Sequence, residues 1–123
     1  MRYLTDRKRA ERKGASGTGT EHHWYMSVSA VALAFLIPTF LYVFGHALGQ
    51  GRDQVAATFG SPFAAILTGL VLFVSMQHFA KGAQTMIEDY THGSWRRGLV
   101  MLVYSLAYVI TATGLYALVK MAM

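Results

Sequence analysis

Three apolar stretches dominate this chain of 123 residues, and they leave little choice of fold. They cover about 24–48, 62–87 and 98–119. Crossing the hydrocarbon of a bilayer as a helix takes about 20 residues, and each stretch reaches that length. None alternates polar and apolar with the period of two that strands require. Backbone amides in lipid must also be bonded within the protein, which leaves helices as the spanning element. The expected class is therefore all-α integral membrane, with three transmembrane helices. Pro62 opens the second stretch, where its missing N–H costs nothing. Pro38 falls inside the first and reads as a tolerated kink. The first stretch begins near Trp24 and is longer than the ~7–15-residue core of a secretory signal. The segment Gly45–Gly51 offers no small-x-small cleavage pattern, so the stretch reads as retained.

The remaining residues orient the spans. The chain is 54% hydrophobic and 14% charged, yet its formal charge is +5. Six basic residues (Arg2, Arg7, Lys8, Arg9, Arg12 and Lys13) lie before the first span, opposed there by Asp6 and Glu11. Gly14–Thr20 follows as a small, polar linker. The organisation expected is a basic flexible tail over 1–20 and a three-helix anchor domain over 21–123. The tail reads as a solvated segment drawn to anionic lipid headgroups rather than as a nucleic-acid arm, and no basic–aromatic platform accompanies it. Arg96 and Arg97 lie between the second and third spans, whereas the first connection carries Arg52 alone and the C-terminus Lys120 alone. The positive-inside bias then puts the N-terminus and the second connection in the cytoplasm. The C-terminus falls on the outer, periplasmic side of a bacterial inner membrane. Trp24, Tyr25, Tyr90 and Trp95 gather at the cytoplasmic interface, where aromatic belts form. The stretch Glu88–Arg97 reads as a short polar loop. The absence of cysteine removes thiolate metal sites, iron–sulfur ligation by this chain and cysteine nucleophiles.

The second span carries residues that lipid does not require: His78, Lys81, Gln84, Thr85, Glu88 and Asp89. Ionisable groups at membrane depth mark function by default. Helical spacing places His78, Lys81, Gly82, Thr85 and Asp89 on one face, with Asp89 about 16 Å along the axis from His78. A histidine there can relay protons, bond to a neighbouring helix, or ligate a metal or haem iron. Spacing alone favours the interhelical bond. Gly82, one turn on, leaves a small surface that a flat macrocycle could approach. His46 lies about 15 Å from His78 in depth, too far for one iron to take both. His22, His23 and His92 are interfacial and read as solvated. At the end of the span, Tyr90 could donate to a carbonyl head group such as a quinone's, beside the acid Asp89; by themselves the pair reads as an interfacial anchor and a solvated carboxylate.

Together these residues resemble a known family, the small hydrophobic membrane-anchor subunit of succinate dehydrogenase (respiratory complex II). The matching pattern is His78, Gly82 and Asp89–Tyr90 in HFAKGAQTMIEDYTHG. A second match lies in residues 17–33, which contain GTEHHWYMSVSAVAL. The likeness covers about residues 17–120. Many relatives carry Gln-Arg where this chain has Met26-Ser27. The resemblance implies that His78 is an axial ligand of haem b, held between this subunit and the cytochrome b subunit, with Gly82 at the haem approach. It also implies that Tyr90 hydrogen-bonds ubiquinone, with Asp89 in the proton path. Partners would be the flavoprotein, iron–sulfur and cytochrome b subunits. Lacking a flavin fingerprint and cysteine, the chain would be a non-catalytic subunit that contributes to the quinone site. Rival readings are a non-redox membrane adaptor or assembly protein, a subunit of a proton-coupled transporter, and the anchor of a fumarate reductase. No inverted repeat favours the transporter.

Overall fold

The computed structural model describes residues 5–11 and 20–123, and every regular element in them is helical. A short helix α1 covers Asp6–Glu11. The three long helices are α2 (Glu21–Ala47), α4 (Pro62–Tyr90) and α5 (Gly93–Ala122), and all three are long and apolar enough to cross a membrane. Their limits extend beyond the apolar stretches because a helix continues through its polar ends. At about 1.5 Å per residue the 29 residues of α4 reach about 43 Å, more than the ~30 Å of hydrocarbon. Helix α4 is therefore longer than the apolar slab, and its polar residues Glu88 and Asp89 lie in its last turn. Pro38 lies inside α2, which runs through it without interruption. Most of the Gly14–Thr20 linker expected from sequence lies outside the described residues; Thr20 accepts the first helical bond of α2 from Trp24 N (2.9 Å).

Both connections carry helix that the sequence reading left out. The first connection, residues 49–61, contains a helix, α3 (Arg52–Gly60), that hydropathy did not mark. Gly49 turns the chain with φ of 80°, a left-handed conformation that glycine adopts without a steric penalty. Val55 and Phe59, one turn apart on α3, then pack against Ala47, Ala64 and Leu118, so α3 folds back onto the ends of the spanning helices. Glu88–Arg97 is not a polar loop. Helix α4 continues to Tyr90, only Thr91 and His92 are extended, and α5 begins at Gly93 with φ of 65°. Thr91 closes α4 twice on Ile87 O, through its backbone N–H (2.9 Å) and its hydroxyl (2.6 Å). A connection this short holds the end of α4 beside the start of α5.

Helix α4 is the centre of the molecule. It packs against α2 on one side and α5 on the other, and among the described residues α2 and α5 do not approach each other's backbone. The spanning helices thus form a layer rather than a closed bundle. Its most buried residues are small: Ala80, Ala107 and Ala64. Lipid supplies no hydrophobic drive for helix association, so close packing at small residues does the work. A Cβ at Gly114 of α5 would overlap the side chain of Leu72 on α4, which shows how near those helices come. A layer leaves large apolar side chains uncovered, among them Phe35 and Leu41 on α2, Ile66 and Phe73 on α4, and Leu106 on α5.

Candidate functional site

The polar face of α4 that helical spacing assembles meets α2, and the two helices interlock through it. On α4 the residues are His78, Lys81, Gly82 and Thr85. On α2 they are His22, Tyr25, Met26 and Ser29, which carry the same i, i+3, i+4, i+7 spacing. His78 Nδ1 lies 2.8 Å from Ser29 Oγ. Lys81 Nζ sits 4.3 Å from the centre of the Tyr25 ring, a cation–π contact. Gly82 faces the Met26 methyl, and a Cβ there would lie 3.5 Å from it, in ordinary contact. Thr85 Oγ1 lies 3.0 Å from His22 Nε2. The contacts rise along α4 as they fall along α2, as an antiparallel pair requires.

The interhelical bond that spacing favours for His78 is therefore present. It engages only one ring nitrogen. Nε2 has no partner among the described residues, nor is it among the buried unpaired atoms. The ring is half-buried, about 16 residues from one end of α4 and 12 from the other, hence roughly 18 Å or more from either end. An imidazole held by one nitrogen with the other uncovered has the form of a ligand with its supporting bond already made. His46 is occupied on its own helix, with Nδ1 at 2.9 Å from Tyr42 O. His22 is exposed but not merely solvated, since it bonds Thr85.

A second polar chain joins α4 to α5. Tyr104 donates its hydroxyl to Gln84 Oε1 (2.8 Å), and Gln84 Nε2 donates to Glu88 Oε1 (2.8 Å). Gln77 Nε2, two helical turns earlier on that face, is buried without a partner. Beyond the ladder, Asp89 and Tyr90 occupy the last turn of α4. Both are exposed, Tyr90 to 82%, and no bond to either side chain appears among the described residues. Arg96 and Arg97 stand on the first turns of α5 next to them in the chain, and together with Glu88, Val100 and Met101 line a cleft of about 230 Å³.

Reading the sequence missed Ser29, Tyr25 and His22 as partners of the α4 stripe. The available signal was weak: a serine inside an apolar run, seven residues after an interfacial histidine. A cavity of about 440 Å³ between Phe40, Phe59, Leu72 and Leu118 lies away from this face and does not touch His78. No group of three or more potential metal-ligating side chains occurs among the described residues. His78 can thus contribute one ligand to a centre but cannot complete one.

Three helices long and apolar enough to cross a membrane, with large apolar side chains left uncovered, define a membrane-embedded chain that offers surfaces to partner chains. The particular family follows from comparison. The chain belongs to the succinate dehydrogenase/fumarate reductase transmembrane subunit family, whose model matches residues 1–112. It is 43% identical over 123 residues to the succinate dehydrogenase hydrophobic membrane anchor subunit of Paracoccus denitrificans, covering 100% of this chain and 95% of that one. No solved structure matches it significantly.

Proposed function

We propose that this chain anchors a succinate:ubiquinone oxidoreductase in the bacterial inner membrane, with its N-terminus in the cytoplasm. In this reading His78 is one axial ligand of a haem b shared with a cytochrome b subunit, and Tyr90 and Asp89 border the site of ubiquinone reduction. The observation that carries the reading is the state of His78, deep in the membrane with Nδ1 bonded to Ser29 and Nε2 uncovered. The donor chemistry fits: neutral imidazole is a common axial ligand of haem iron, and its second nitrogen is bonded to a supporting group. The layered fold fits as well, because one face of α4 remains available to a second chain. When bound, the haem would supply a one-electron centre and a link between two subunits.

The chain's own residues have distinct tasks in this scheme. Ser29 and the ladder below it hold α4 in one rotation against α2. The Thr91–His92 connection fixes the end of α4 against α5, so Asp89 and Tyr90 are presented from a rigid helix end rather than a loop. The Tyr90 hydroxyl, free of any described bond, donates to a quinone carbonyl. The Asp89 carboxylate, exposed one residue earlier, exchanges protons with the aqueous side. Electrons must come from partner subunits, namely a flavoprotein and an iron–sulfur protein, since this chain has no cysteine to bind a cluster. The name of the Paracoccus relative favours succinate oxidation over fumarate reduction.

Purification in mild detergent tests the reading. The expected preparation contains a b-type haem spectrum and co-purifying flavoprotein and iron–sulfur chains. His78→Ala should remove the haem absorbance from the assembled complex. An unchanged haem spectrum in that variant would refute the assignment.

A further inference from the structure

The Ser29 hydroxyl carries one proton and stands within hydrogen-bond distance of three groups. Its Oγ lies 2.8 Å from Tyr25 O, 3.1 Å from Met26 O and 2.8 Å from His78 Nδ1. Tyr25 O and Met26 O are carbonyl oxygens of its own helix, and a carbonyl oxygen only accepts. Two oxygens at 2.8 Å need a proton between them, so the hydroxyl hydrogen points back into α2. Toward His78 the Oγ can then only accept, and the hydrogen of that bond must come from Nδ1. The opposite assignment, with Oγ donating to a bare Nδ1, would set the lone pairs of two oxygens against each other and lose a bond. Ser29 is buried, so that loss would not be made good by water. The neutral imidazole is therefore the Nδ1–H tautomer, and its lone pair is on Nε2, the uncovered nitrogen.

We infer that Ser29 is a positioning residue that selects the ligating tautomer of His78 and sets how strongly that imidazole donates to iron. The inference rests on the haem reading above. An acceptor on Nδ1–H raises the electron density of the ring and its basicity as a ligand. The acceptor here is itself polarised, since the hydroxyl donates onward to helix carbonyls. Forty-nine residues separate Ser29 from His78, so only the packing of α2 on α4 brings them together. Removing the hydroxyl leaves Nδ1–H unpaired and the ring free to turn. The imidazole becomes a weaker donor, ferric iron loses more stabilisation than ferrous iron, and the haem becomes easier to reduce.

The test is a redox titration of haem absorbance in the purified complex, with the low-spin electron paramagnetic resonance signal recorded on the same samples. Four variants are compared with the parent: Ser29→Ala, Ser29→Val, Ser29→Thr and His78→Ala. Thr keeps the hydroxyl and its bond to the helix carbonyl, whereas Val has nearly the shape of Thr without it. Ala and Val should both shift the haem midpoint to more positive potential, with altered g-values and reduced haem per complex. Thr should behave as the parent. A packing defect would differ between the small Ala and the larger Val, whereas loss of the hydroxyl is common to both. Equal midpoints and g-values for the Thr and Val variants would overturn the role of Ser29. Retention of haem by His78→Ala would instead overturn the underlying haem assignment.

Discussion

Replacing Tyr90 by Phe isolates one hydroxyl from everything else in the complex. The ring is 82% exposed and its hydroxyl makes no described hydrogen bond, so the change removes nothing that holds the chain together. Exposed substitutions of this kind fall within about 0.5 kcal/mol of neutral, and the complex should assemble with its haem. What is lost is the bond proposed to a quinone carbonyl. A neutral hydrogen bond contributes about 0.5–1.5 kcal/mol net. At about 1.4 kcal/mol per tenfold, this corresponds to a loss of roughly two- to twelve-fold in quinone binding. The assay compares two electron exits in the same preparation. Succinate-dependent reduction of a short-chain ubiquinone should show a raised KM, or a lowered kcat if the bond strengthens as charge develops on the oxygen. Succinate oxidation by a dye that takes electrons upstream of the membrane site should be unchanged. Unaltered kcat and KM for the quinone would refute the placement of Tyr90 at the site. Loss of both activities together would refute the premise that the hydroxyl has no structural role.

The other predictions follow from particular contacts. Gly82→Ala meets only the Met26 methyl at ordinary contact distance, so the chain should assemble normally; a macrocycle lying against Gly82 would feel the added methyl, and the haem spectrum and haem-to-protein ratio separate the two cases. Gly114→Val pushes a branched side chain into Leu72, and overpacking of this kind costs about 1–3 kcal/mol, so the thermal midpoint of the detergent-solubilised complex should fall. Thr85→Val breaks the bond to His22, and interhelical hydrogen bonds in membranes average about 0.6 kcal/mol. That variant should lose little thermal stability and keep its haem spectrum.

Helical periodicity and bilayer thickness are both legible in sequence, which is why the spans could be read directly. The stripe of His78, Lys81, Gly82 and Thr85 was visible for the same reason: residues three, four and seven apart share a face whatever lies opposite. The polar end of α4 and the polar start of α5 were harder. Glu88 and Arg97 look like loop residues by hydropathy, but helices continue into the headgroup region where charge is no longer costly. Helix α3 was hidden because its nine residues are too polar to stand out and are stabilised by contacts with Ala47, Ala64 and Leu118 rather than by local pattern.

The sequence by itself determined three spanning helices, the placement of charge at their ends and the polar face of the second, because each depends on neighbours within a turn or two. Only the tertiary structure decided what that face meets. Ser29 and His78 are 49 residues apart and His22 and Thr85 are 63 apart, and no local signal encodes the register between helices. That register is set by small residues that let the helices approach and by the few polar groups that must find partners in a dry interior. It assigns one nitrogen of His78 to Ser29 and leaves the other open, a distinction that the residue's position in the sequence does not contain.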